Sequence, residues 1–120
     1  MANPNILNVT SLYGKSTGLL LTTSTQDIVT ATTNKVFKIN SIFGTNVTSD
    51  NSNTSLTVIF YDSSTGTSSE LCSLSVIPAY NTLVALDKDS SIYLEEGDKI
   101  QARADKANAI KLTISWEEIS

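Results

Sequence analysis

The segment Ile110-Lys111-Leu112-Thr113-Ile114-Ser115-Trp116-Glu117 alternates apolar and polar side chains without a break. A period of two sends successive side chains to opposite faces of an extended strand, whereas a helix would scatter this pattern around its circumference. The segment therefore reads as a strand with Ile110, Leu112, Ile114 and Trp116 toward a core. A strand of this kind needs antiparallel neighbours and a second layer over its apolar face. Ile100, Ala102 and Ala104 alternate with Gln101, Arg103 and Asp105 in the same way.

The rest of the chain divides into further short runs bounded by turn chemistry, and none has a period of 3.6. Ile6 to Tyr13 is the first, with Leu7, Val9 and Tyr13 on one face and Gly14-Lys15 as its closing turn. Leu19 to Thr23 reads as a separate strand, and the polar stretch from Ser24 to Asn34 as a crossing between sheets. Lys35 to Phe43 places Phe37, Ile39 and Phe43 on one face. Thr45 to Ser55 is almost wholly polar and reads as an exposed, mobile connection. Leu56 to Tyr61 is apolar on both faces, which predicts a central strand, covered on both sides or packed against a neighbouring subunit.

Cys72, Leu74 and Val76 form the expected inward face of the next strand, which must end or lie at an edge by Pro78, because proline cannot donate to a ladder. Thr82 to Leu86 and Ile92 to Leu94 complete the set, separated by a turn at Asp87-Lys88-Asp89-Ser90. Glu95-Glu96-Gly97-Asp98 is the clearest tight turn, since Gly97 takes positive φ cheaply and Asp98 can bond nearby backbone. The fold class is all-β, an antiparallel two-sheet sandwich, with a jelly roll preferred over an immunoglobulin-like order. With 120 residues there is one core and one domain, 1–120, in which 1–8 reads as an extended arm.

Several functions are disfavoured by composition. The formal charge is −4 and the basic residues are dispersed, so no basic stripe is available to neutralise phosphates and nucleic acid is not an expected partner. No apolar run approaches the roughly 20 residues of a bilayer span, and the opening residues lack the order of a secretion signal. The expected site of synthesis is a cytoplasm. Cys72 is the single cysteine, which excludes an internal disulfide. Three glycosylation sequons, beginning at Asn8, Asn46 and Asn53, are expected by chance in a chain with 33 Ser and Thr residues.

Catalytic chemistry is equally short of parts. The chain contains no histidine, which removes the usual general base and the usual ligand for transition metals. Glu95 with Glu96, and Glu117 with Glu118, are adjacent in sequence, so each pair points to opposite sides rather than across a cleft; both pairs read as solvated charges. Asp87 and Asp89 have the spacing of a calcium loop but lack its glycine and its bidentate acid. Gly14-Lys15-Ser16 lacks the upstream glycine of a phosphate loop. Cys72 reads as an inert, buried thiol. Trp116 and Tyr93 could serve a sugar platform if exposed, but Trp116 continues an apolar series and reads as core. No enzyme activity, cofactor or metal is expected, and the chain reads as a structural or binding module.

The opening Met1-Ala2-Asn3-Pro4-Asn5-Ile6-Leu7-Asn8-Val9-Thr10, the Tyr13-Gly14-Lys15 after it, the block from Leu86-Asp87-Lys88-Asp89 to Gly97-Asp98 and the closing Trp116-Glu117-Glu118-Ile119-Ser120 together resemble small virion structural proteins of tailed phages, especially those of marine cyanobacteria. That resemblance spans nearly the whole chain and brings no catalytic residues. It implies residence in the virion after synthesis in the host cytoplasm, as a capsid decoration protein bound to the major capsid protein or to other virion proteins. A neck or tail accessory protein is the alternative, and a carbohydrate-binding or host-attachment module is the alternative of another class. A homo-oligomer is expected, with a trimer as the guess, and no membrane contact. The candidate interface residues are Asn3, Pro4, Asn5 and Ile6 in the arm, with Ile59, Tyr61 and Tyr93 on strand faces.

Overall fold

The computed structural model of the chain describes residues 11–48 and 50–120. Nine strands occupy most of that length: β1 (Leu12–Leu20), β2 (Gln26–Thr30), β3 (Val36–Asn46), β4 (Thr54–Asp62), β5 (Thr67–Ile77), β6 (Thr82–Leu86), β7 (Ile92–Leu94), β8 (Lys99–Ala104) and β9 (Ile110–Ile119). Among the described residues the only helical backbone is a single 3-10 turn, Lys88–Ser90, and no helix is long and apolar enough to cross a membrane.

Two antiparallel sheets face each other. The first runs β1-β9-β3, with β6 and β7 both pairing along the far edge of β3; the second runs β2-β8-β4-β5. The pairings are nested about the β4–β5 hairpin: β3 pairs with β6 and β7, β2 with β8, and β1 with β9. A chain doubled back on itself in this way forms one long ribbon. Rolling that ribbon so that alternate pairs fall in opposite sheets gives two interlocked Greek keys, which is the jelly roll. The sandwich expected from the alternation is the architecture observed.

The core lies between the sheets. Ile39, Ile42, Leu112 and Ile114 from the first meet Leu56, Val58, Ile100 and Ala102 from the second, all fully buried. Each large aliphatic side chain removed from water in this way contributes roughly 1.5–3 kcal/mol. Gly44 on β3 has a packing reason, because a Cβ there would come within 3.0 Å of Leu56 Cδ2 and 3.1 Å of Ile110 Cγ2. At one end of the sandwich, Gly97 has φ +88°, and a Cβ on it would meet Ser63 Oγ at 2.8 Å. Asp98 beside it is buried; its Oδ2 accepts from the Glu95 amide at 3.0 Å and its Oδ1 from the Ser63 amide at 3.0 Å. One turn thus fastens another, and the expected roles of Gly97 and Asp98 hold.

Four local expectations are corrected. Gly14-Lys15 is not a turn: it lies inside β1, which continues through Leu19 and Leu20 as one strand. An edge strand exposed on both faces tolerates glycine because little packs on it. Ser24 to Asn34 does cross between sheets, but carries a strand of its own, β2. Phe43 does not share a face with Phe37 and Ile39, because a bulge between Ile39 and Ser41 shifts the alternation and turns Ile42 inward instead. Thr45 to Ser55 begins and ends inside strands, and Asn46 and Thr54 are each 1% exposed.

That polar connection is also stitched from within. Asn46 Nδ2 donates to the Ser52 and Ile77 carbonyls at 2.9 Å each, while its Oδ1 accepts from the Thr48 amide at 3.0 Å and hydroxyl at 2.8 Å. Lys106 Nζ adds bonds to Ser52 Oγ and the Asn53 carbonyl, both 3.0 Å. The reason is the cost of burying an unpaired amide; once every donor and acceptor is used, asparagine can sit in a core.

Candidate functional site

Sequence spacing keeps the carboxylates apart, and most serve as local fasteners. Asp87 caps the 3-10 turn through the Ser90 amide at 3.1 Å. Glu96 accepts from the Asn34 amide at 2.8 Å. Glu118 departs from the expectation of a solvated charge: it is 7% exposed and faces inward beside Trp116. Lys15 Nζ at 3.2 Å, Lys35 Nζ at 3.4 Å and Trp116 Nε1 at 3.2 Å converge on its two oxygens. Burial pushes this carboxyl up, but the bonds from Lys15, Trp116 and Lys35 together outweigh burial and hold it below the usual glutamate range. The cluster ties β1, β3 and β9 together at one end of the first sheet.

Trp116 is half-buried and stacked on Phe37, with ring centroids 6.3 Å apart, and it packs against the core. With one face on Phe37 and its N–H on Glu118, it is not an open sugar platform. Cys72 packs against the core with its Sγ 3.6 Å from the Leu56 carbonyl, and burial raises its thiol pKa. A small open cleft of 230 Å³ is bordered by Thr48, Asp50, Lys106 and Asn108, below the usual size of a ligand pocket. Among the described residues no group of three metal-ligating side chains converges.

The candidate interface residues separate into three situations. Asn3, Pro4, Asn5 and Ile6 lie outside the described residues. Ile59, on the outer face of β4, is 8% exposed and leaves little area for a partner, and Tyr61 beside it is half-buried under Lys99 Nζ at 5.6 Å. Tyr93 is exposed on β7.

Sequence reasoning missed the most exposed apolar positions. Leu74 and Val76, expected inward, are 60% and 57% exposed. The β4–β5 register has two irregularities, with Leu56 paired to Ser75, Val58 to Cys72 and Ile59 to Glu70, so that β5 carries an extra residue at each step; the first of them, between Ser75 and Cys72, explains the reversal. Cys72 keeps its inward place while Val76, opposite Ser55, points out. Leu74 has φ +48°, a left-handed conformation that costs a leucine about 1–2 kcal/mol, and its amide donates to the buried Thr57 hydroxyl at 3.0 Å. The bulge displays a leucine at the sheet edge. Tyr80, also at positive φ, lies beyond the end of β5, and Val84 is exposed on β6. The local signal for such bulges is weak, because Ser73-Leu74-Ser75 alternates like any strand.

Apolar side chains exposed at edges and turns are the kind of surface that protein contacts use. No family model matches the chain, and no curated protein does.

Proposed function

We propose that this chain is a structural protein of a phage virion, and within the particle a capsid decoration protein that binds the outer surface of the head through the major capsid protein and stabilises the shell. The observation that carries this reading is the display of Leu74 and Val76 on a bulged edge strand, with a strained backbone holding Leu74 out. Strain of this kind persists when surrounding structure enforces it, and it clusters at functional sites such as ligand clamps. The resemblance of the opening, the Leu86–Asp98 block and the closing residues to small virion proteins supports the same reading. In it the module contributes surface, and no catalytic step is assigned.

The test adds purified chain to particles lacking it and measures retention after sedimentation. Wild type is expected to co-sediment at a copy number that tracks the head shell. Leu74→Ser with Val76→Ser is expected to reduce retention at least tenfold while the far-ultraviolet spectrum is unchanged. Full retention of the double variant overturns the assignment of this edge, and a copy number matching one ring on the particle axis replaces the head reading with a neck or tail one.

A further inference from the structure

The free edge of β1 has a property that neither its exposure nor its composition alone reveals. Ser11 and Ser120 exchange both backbone hydrogen bonds at 3.1 Å, and the Leu21 amide donates to Ile110 at 2.9 Å. Between these points the β1–β9 register runs from Leu12↔Ile119 to Leu20↔Lys111 without a shift. In an antiparallel ladder hydrogen-bonded and non-bonded pairs alternate, so the odd-numbered residues of β1 bond to β9. Leu12, Gly14, Ser16, Gly18 and Leu20 therefore aim their N–H and C=O groups away from the sheet, where no described strand pairs with them.

Those five residues read the same in both directions: Leu, Gly, Ser, Gly, Leu. A twofold axis through Ser16 would lay a second copy of β1 antiparallel against the first. Leu12 then faces the partner's Leu20, Gly14 the partner's Gly18, and Ser16 the partner's Ser16. Each of the five pairs exchanges both of its free backbone bonds. A two-residue shift leaves a leucine without a counterpart, and a one-residue shift sets free groups against bonded ones. An interface between identical surfaces must be self-complementary, and this strand is.

Charge agrees with the same occupant. Lys15 is the only charged side chain of β1, and it is paired at 3.2 Å with Glu118 of its own chain, a carboxylate it shares with Lys35. In the twofold register Lys15 stands opposite the partner's Thr17 and diagonal to the partner's Lys15, about 7–8 Å away, with each lysine drawn back onto the Glu118 of its own chain. Long edge strands are ordinarily blunted by proline, bulges or several charges; β1 has one satisfied lysine and a regular ladder. We infer that β1 is the seam of a homodimer in which the first sheets of two copies join into one continuous sheet. This holds whether or not the protein belongs to a virion. A seam of one strand pair buries less than the roughly 1,200 Å² of a stable interface, so the dimer is a reversible one, in the micromolar to millimolar range.

Cysteine cross-linking in the full chain decides it, in a Cys72→Ser background whose hydroxyl can still donate to Leu56. Hydrogen-bonded partners sit about 5.5 Å apart at Cα with Cβ atoms about as far apart, wider than the roughly 3.5–4.5 Å Cβ separation of an unstrained disulfide, so a short bifunctional thiol reagent makes the link. With that reagent Ser16→Cys is expected to form a covalent dimer with itself. Gly14→Cys alone is expected to stay monomeric, and a mixture of Gly14→Cys and Gly18→Cys chains to give the heterodimer. A second arm uses Gly14→Pro, which removes only an outward-facing donor at a position with nothing within 4 Å of a Cβ. It is expected to weaken dimerisation at least tenfold by sedimentation with the circular dichroism unchanged, and if it unfolds the cross-linking still decides. The proposal is overturned if Ser16→Cys stays monomeric at millimolar concentration, if Gly14→Cys alone cross-links as well as Ser16→Cys, or if the native assembly has the mass of a trimer.

Discussion

β1 and β5 are each the last strand of a sheet, and they treat that position in opposite ways. β1 pairs with β9 over nine residues without a register shift, and only Leu19 along it is even half-buried. β5 breaks register with β4 twice, puts Leu74 at positive φ and stops before Pro78. Among the described residues nothing pairs with the outer row of backbone groups of the first, whose unbroken register suits it to another strand. The second spoils that row and offers side chains instead. Two free edges on one small module can therefore accept different partners without competing, because one recognises main chain and the other apolar side chains.

The anchors of the two edges also differ in kind. β1 is tied through Lys15 to the carboxylate of Glu118, and β5 through the Leu74 amide to the neutral hydroxyl of Thr57. Removing the charged anchor should cost more. Glu118→Gln is expected to lower stability by about 1–2 kcal/mol, the range for bonds to a charged group discounted for two partly exposed lysines. The pH dependence has a defined sign. Glu118 is held below its ordinary value of 4.5 in the folded state, so its stabilisation is fully present above 4.5 and is lost as pH falls through the lower folded value. Amide exchange followed by NMR should show β1 losing protection on acidification before β5 does; equal loss at both edges would remove the contrast.

Thr57→Val tests the neutral anchor. It keeps the buried volume and leaves the Leu74 amide without its acceptor, at an expected cost of about 1 kcal/mol with no added acid sensitivity. The smallest effects should share a sign although the substitutions run in opposite directions. Gly14→Ala in β1 should stabilise by about 0.5 kcal/mol, since glycine within a strand is entropically costly. Leu74→Gly in β5 should also stabilise by about 0.5 kcal/mol, because relief of the left-handed conformation outweighs the slight packing of so exposed a side chain. Urea midpoints at constant slope measure both. A Leu74→Gly variant less stable than wild type would show that the bulge is unstrained.

What can be read from the residues follows the same division between regular and irregular ladder. Ile100 to Ala104 and Ile110 to Ile114 are legible because both strands are central and regular, so one face is buried and the period of two survives. Gly97 is legible because its turn requires positive φ. Gly14 misleads because glycine marks turns in general, while here it lies in a strand with nothing packed over it. Leu74, Val76 and Phe43 fall on the face opposite to the one their alternation suggests, because a bulge flips every residue beyond it and leaves no local trace in composition. Asn46 and Glu118 look solvent-facing from their polarity; their burial depends on partners distant in sequence, Ile77 and Lys15.

The pairing of Ser11 with Ser120 has a mechanical consequence. Because β1 and β9 are antiparallel neighbours whose outer ends meet there, a force pulling those two residues apart would open the ladder one pair at a time, like a zip, and reach Glu118 almost at once. Load entering through the sheet faces or along β1 would instead strain many bonds together. A fastening made from this module would hold when sheared across its faces and give way when tugged at those two serines.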